Sequence, residues 1–275
     1  MTDPALCVRT MGDEQYFELT YTDGTSFLLD AGMTRLCGTW LPALTLEDFT
    51  TYLLGPVMGF ILRQRRILSL HASTVSIAGH AIALCGASEA GKSTTAAALA
   101  LRGIPVLAED VSPVKEEAEG FFIEPGYPRI CLWPGAVEAL FGRQDALPQL
   151  TPNWEKRFLA LDGVQAKFEA ERRSLGAIYL LAPRTEEKDA PRVESLGMRE
   201  ALLELVQNTY MNWLLDREQR AAELDVLSRL VARVPVRRIV PHSDPARLGA
   251  LCDLIVTDAE GLLARQNLAL AGSGR

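Results

Sequence analysis

Eight consecutive residues, Gly86-Ala87-Ser88-Glu89-Ala90-Gly91-Lys92-Ser93, fit the P-loop pattern G-x-x-x-x-G-K-[ST] without substitution. Glycines at both ends let the backbone curl so that successive N–H groups face one concavity, and a helix starting at Lys92 adds the positive end of its dipole. Lys92 can then reach the outer phosphates of a nucleoside triphosphate, and the Ser93 hydroxyl suits Mg²⁺. The chemistry implied is the cradling of Mg²⁺-bound ATP by Gly86 through Ser93 and by Thr94. At average composition the pattern arises by accident in roughly one chain of this length in a hundred. A glycine turn that only caps a helix is the ligand-free alternative.

A second candidate element is Glu109-Asp110, one helix and one short strand downstream. One carboxylate there can hold Mg²⁺ or its water shell, and the other can accept the proton of an incoming hydroxyl. An arbitrary Glu-Asp pair is usually a solvated turn; its place after the loop favours the chemical reading. His71, at the end of the run Ile67 to Leu70, could contact a phosphate or orient a carboxylate, or simply be a satisfied structural residue. A nucleophile elbow is a poor reading: Gly86-x-Ser88-x-Ala90 lacks the second glycine, and His71, His80 and His242 give no triad order.

The elements that must position these residues are legible around them. Ile67 to Ile77 and Ala81 to Cys85 read as strands joined by Ala78-Gly79-His80, a hairpin feeding the glycine loop. A helix from Lys92 to Arg102, stopped by Gly103, should follow. Val106 to Ala108 reads as a buried strand, in a parallel sheet beside the loop, that delivers Glu109 and Asp110 at its end. Upstream, Tyr16 to Leu29 holds two β-prone runs around Asp23-Gly24, and Leu46 to Ile61 is spaced for one helical face behind a Thr45 cap, with a kink at Gly55-Pro56. The chain therefore divides into a small β-rich lobe over residues 1–44 and an α/β domain over 45–275. Beyond a weakly patterned stretch from Val111 to Phe168, Ala177 to Leu181 and Val236 to Val240 read as strands. Met198 to Leu215, Glu218 to Val234 and Pro245 to Arg265 read as helices, and the tail after Leu270 should fray.

Composition limits the partners. Of 275 residues, 48% are apolar and 23% charged, the balance of a globular protein with a sizeable core. With 28 basic and 35 acidic side chains, the net charge of -7 argues against broad attraction to nucleic acid or anionic lipid. The five scattered cysteines have no metal-ligand spacing and read as reduced, mostly buried thiols. The first ten residues lack a signal-peptide layout and Tyr52 to Leu62 is too short to span a bilayer, so a cytoplasmic protein is expected.

Leu70-His71-Ala72-Ser73-Thr74-Val75, Gly79, the P-loop, Arg102-Gly103 and Glu109-Asp110 together resemble the nucleotide-binding core of the HPr kinase/phosphorylase family, over about Ile67 to Val114. Weaker similarity extends into the helix before it and the Pro-Gly-Tyr-Pro and Leu-Trp-Pro segments after it, as in the short homologues encoded beside peptide-modification genes. The resemblance implies a P-loop kinase core of the HPr kinase/phosphoenolpyruvate carboxykinase type. It implies Lys92 on the β- and γ-phosphates, Ser93 and Asp110 on Mg²⁺, Glu109 as general base and His71 near the transferred phosphate. Two departures stand out. The family usually has Asp-Asp where this chain has Glu109-Asp110, and the signature that accompanies phosphorolysis is absent from Phe122 to Pro128.

The expected activity is therefore ATP-dependent phosphorylation of a hydroxyl, a Ser or Thr of a small protein or peptide, without the reverse phosphorylase reaction and not on HPr. A nucleotide-dependent binding module with little turnover and a small-molecule kinase are the alternatives. Lys156-Arg157 and Arg237-Arg238 could bind an anionic acceptor or offset transition-state charge, although solvated surface pairs are the commoner case. Relatives often form rings, so homo-oligomerisation is an expectation from the resemblance alone; the sequence shows only ordinary amphipathic helices.

Overall fold

Asp23 and Gly24 make the tight turn their residue types favour. Gly24 has φ +89°, and the Asp23 carboxylate accepts the Thr25 backbone N–H at 2.9 Å. In this computed structural model, which describes residues 6–12 and 16–273, the turn lies within an antiparallel meander. Its strands are β1 (Leu6–Met11), β2 (Tyr16–Tyr21), β3 (Ser26–Asp30) and β4 (Leu36–Thr39). One face of the meander buries Leu19, Phe27 and Leu29 against Phe49, Tyr52 and Phe60 of the following helices.

Those helices start at Thr45, whose side chain and backbone exchange hydrogen bonds with Asp48 in a capping box. Helix α1 (Leu46–Tyr52) leads through a π-helical turn, Leu53–Val57, into α2 (Met58–Gln64). Pro56 has no N–H to give to an i−4 carbonyl, and here the backbone widens into the π turn.

The larger sheet is organised by the hairpin of β5 (Leu68–Ile77) and β6 (His80–Gly86), turned at Ala78 and Gly79 with φ +48° and +78°. The chain then runs through the glycine loop into α3 (Lys92–Leu101) and on to β7 (Val106–Ala108) and β8 (Val111–Glu117). Both β7 and β8 pair antiparallel with β5. This corrects the parallel neighbour expected from the sequence: β5 separates β7 from β6, because the hairpin inserts a strand between them.

There follow β9 (Gly120–Ile123), β10 (Arg129–Leu132), α4 (Pro134–Phe141) and β11 (Arg157–Ala160), the last pairing with β10 as a two-stranded arm. Next come β12 (Arg173–Leu181), β13 (Arg192–Ser195), α5 (Met198–Gln207), α6 (Arg217–Arg233), β14 (Val236–Val240) and α7 (Leu248–Ser273). The sheet order is β13-β14-β12-β6-β5-β8-β9, with β12 parallel to β6 and to β14 and β9 returning to pair with β12. Alternation along β6 decides the layers. Ile82 and Leu84 join Leu99 of α3 and Ile255 of α7, while Ala81, Ala83 and Cys85 join Leu205 of α5 and Leu230 of α6.

Three sequence expectations change. The helix expected over Met198 to Leu215 stops at Gln207, where the chain instead hydrogen-bonds to the start of β5: His71 N–H donates to Asn208 and Tyr210 N–H to Ser69, each at 2.8 Å. The closing helix begins at Leu248 after a 3₁₀ turn, Pro245–Arg247, and continues to Ser273. Fraying was the expectation for the tail after Leu270; its last residues, 274–275, lie outside the described residues. Finally, Cys85 and Cys252 are buried but Cys7 and Cys37 are exposed, on β1 and β4. No helix among the described residues is long and apolar enough to cross a membrane.

Candidate active site

Gly86 ends β6 and Lys92 opens α3, so the five-residue bend between them sits where a strand hands over to a helix N-terminus. Gly91, the N-cap of α3, has φ +102°, and a Cβ there would lie 3.0 Å from the Arg184 guanidinium; a side chain would be strained and would crowd that arginine. Glu89 also takes a left-handed conformation, φ +64°. Lys92 reaches back across the loop, its Nζ donating to the Gly86 and Ala87 carbonyls at 2.9 Å each. Burial lowers its pKa, with Asp110, Cys85 and Glu109 pulling the other way.

Glu109 and Asp110 are the corner between β7 and β8. Both strands pair with β5, at Thr74 opposite Ala108 and His71 opposite Val111, so the corner bulges off β5 beside His71. The Val111 N–H donates to the Glu109 carbonyl at 2.8 Å across Asp110, whose φ is +66°. This is the strained form of γ-turn, in a residue type that tolerates left-handed backbone better than most. Strain of this kind costs on the order of 1–3 kcal/mol and concentrates at functional positions.

The corner sends its two carboxylates to different partners. Ser93 donates to Glu109 Oε1 at 2.8 Å. Asp110 faces His71, with Nε2 3.3 Å from Oδ1, and accepts from the Tyr210 hydroxyl through Oδ2 at 3.2 Å. Ser93 therefore lies against Glu109, where the resemblance had paired it functionally with Asp110. Glu109 is 6% exposed, whereas the Asp110 side chain keeps 36%, so Asp110 is the carboxylate an incoming group meets.

Their electrostatics diverge accordingly. Burial, then the Asp110 charge, push Glu109 up to about 7, and the Ser93 hydrogen bond, Lys156 and the Cys131 N–H offset this only in part. Burial also opposes ionisation of Asp110, but the His71 hydrogen bond and charge, Lys156 and Tyr210 outweigh it and hold that carboxyl below its usual range. Burial and Asp110 raise the Tyr210 hydroxyl well above its normal pKa, which keeps it a donor.

All these groups line one cleft of about 1140 Å³, which contains residues 88–95 of the loop and helix, His71, Glu109, Asp110, Tyr127, Lys156, Arg184 and Tyr210. Of the two basic pairs noted in the sequence, only Lys156 reaches it. Arg157 turns to the Leu147 carbonyl, Arg237 to Asp258, and Arg238 to Glu194, Glu200 and Glu204. Tyr210 was hidden within an expected helix; the Asn208-Thr209 pair, poor helix formers just before it, was the available signal. No cluster of three metal-ligating side chains occurs among the described residues. Mg²⁺ in phosphate sites needs only one or two protein oxygens beside phosphates and water, which the Ser93–Glu109 pair fits.

The fold and cleft define a mixed α/β protein. No protein-family model matches the chain, and no curated protein matches it. Among solved structures it is similar to the Hpr(Ser) kinase/phosphatase from Coxiella burnetii, at 16% identity and a TM-score of 0.37, covering 75% of this chain and 94% of that one. That is a distant structural relation and carries no argument about substrate or activity.

Proposed function

We propose that the cleft binds Mg²⁺-ATP and transfers its γ-phosphate to a hydroxyl, a Ser or Thr of a small protein or peptide. The observation that carries this reading is the division between two adjacent carboxylates, Glu109 facing Ser93 of the loop and Asp110 facing His71 and Tyr210. The N–H groups of Ser88 to Ser93 and the α3 N-terminus hold the triphosphate, and Lys92 exchanges its two carbonyl partners for phosphate oxygens. Ser93 and Glu109 supply the protein oxygens for Mg²⁺, whose charge offsets that of the phosphates when bound.

Asp110 receives the acceptor hydroxyl. His71 and Tyr210 occupy one face of each carboxylate oxygen, which keeps Asp110 ionised and aimed; a loose phosphoryl transition state asks of such a group mainly orientation and late proton acceptance. These roles exchange Glu109 and Asp110 relative to those implied by the resemblance. The test is transfer of label from ATP to Ser and Thr peptides with Mg²⁺ present. Normal ATP binding with no transfer to any hydroxyl acceptor would sink the proposal.

A further inference from the structure

Lys156 lies just before β11, on the arm that lines the cleft. Its Nζ sits 4.7 Å from the Trp133 ring centre and 5.9 Å from that of Trp154. Aromatic faces attract a cation without consuming its N–H donors as a carboxylate would, so an ammonium held this way keeps them for an incoming oxygen. Lys156 forms no ion pair among the described residues. It lines the same cleft as Glu109 and Asp110, and its charge favours the ionised form of both carboxylates.

The arm is pinned on both sides. Asn153 donates to Asp48 of α1 at 2.6 Å, and Trp154 meets Tyr52 edge-on at 5.5 Å. At the base, the Leu150 N–H donates to the Lys156 carbonyl at 2.9 Å, and Arg157 pairs in register with Leu132. A cation fixed before the reaction costs no reorganisation when charge shifts toward it.

We propose that Lys156 is a second phosphate-directed cation, contacting the transferring phosphoryl group from the acceptor side of the cleft while Lys92 holds it from the loop side. This rests on the nucleotide reading above and names a catalytic residue within it. The phosphoryl group passes from the Ser93–Glu109 side toward Asp110, and Lys156 lines the cleft that holds both carboxylates. Lys92 serves the bound nucleotide throughout, so loss of Lys156 should act on the transition state and not on ground-state binding.

The test measures binding of Mg²⁺-ADP with and without aluminium fluoride, which mimics the phosphoryl group in transit, and needs no identified acceptor. Wild-type protein should bind ADP at least about tenfold tighter with the fluoride present; loss of one such contact typically costs about 100-fold or more in rate. Lys156→Met, which still fills the space between the tryptophans, should bind Mg²⁺-ADP within about twofold of wild type, lose most of the fluoride-dependent tightening, and melt close to wild type. Lys156→Arg should restore much of it. Lys156→Gln provides the same comparison should methionine disturb the arm. Full tightening in Lys156→Met and Lys156→Gln overturns the proposal, as does an equal loss of ADP affinity with and without fluoride, which would make Lys156 a structural pin. Wild type that binds Mg²⁺-ADP but shows no tightening instead removes the phosphoryl-transfer reading of the whole cleft, and this proposal with it.

Discussion

The Ser93 hydroxyl donates to Glu109 at 2.8 Å, while Asp110, the next residue, accepts from Tyr210 at 3.2 Å. A γ-turn centred on Asp110 points the two carboxylates apart, one to the loop and one to the cleft. Their substitution should therefore have separable effects.

Asp110→Asn should lower the rate of transfer by about 100-fold or more while leaving Mg²⁺-ATP affinity within a few-fold. Glu109→Gln should mainly weaken the Mg²⁺ dependence of nucleotide binding. Calorimetric titration with and without Mg²⁺, beside turnover measurements, reads both; the opposite assignment of the two effects would return the metal role to Asp110.

Protonation of Glu109 should compete with Mg²⁺. With its pKa pushed up to about 7, the carboxyl carries a proton over part of the neutral range until metal binds. Mg²⁺-nucleotide affinity should rise with pH below about 7, by up to about tenfold per unit for one proton released, and level off above it. The stability of the metal-free protein runs the other way. A carboxyl whose folded pKa is raised contributes stability at low pH that is lost as pH rises through about 7. Glu109→Gln should flatten both profiles, measured by calorimetry in buffers of different ionisation heat and by thermal melting.

Removing the Tyr210 hydroxyl takes a donor from Asp110. Tyr210→Phe should cost about 1 kcal/mol of stability and raise the Asp110 pKa, so that the acid limb of the rate profile moves to higher pH. A rate profile whose acid limb does not move would show that the hydrogen bond is structural only.

Gly59 provides the space behind that tyrosine. A Cβ there would lie 2.2 Å from Tyr210 Cε1, so Gly59→Ala must displace the ring. Destabilisation of about 1–3 kcal/mol is expected, together with reduced transfer, although Gly59 does not line the cleft. Gly249→Ala, outside the cleft lining and with nothing within 4 Å of the added carbon, is the control and should neither lower the melting temperature nor change the rate.

Lys92→Ala should abolish tight nucleotide binding. Survival of micromolar affinity in that variant, about -8 kcal/mol, would contradict the phosphate-cradling role of the loop itself.

Local chemistry in the sequence determined the parts of this protein that depend on neighbours along the chain. The glycines and Lys92 of the loop, the β5–β6 hairpin through Ala78-Gly79, the Thr45 cap and the short strand that ends at Glu109-Asp110 all follow from preferences within a few residues. Only tertiary structure decided which carboxylate meets Ser93, because that depends on β7 and β8 both pairing with β5 and on the turn between them. It also decided that Tyr210 leaves its helix to reach Asp110, since hydrogen bonds to Ser69 and His71 compensate the helical bonds given up. Of the four cations noted in the sequence, it selected Lys156 as the one that opens onto the cleft, because Arg157, Arg237 and Arg238 found acceptors elsewhere. Spacing along a chain records helices, turns and loops; which side chains converge is fixed by register and packing between segments far apart in sequence.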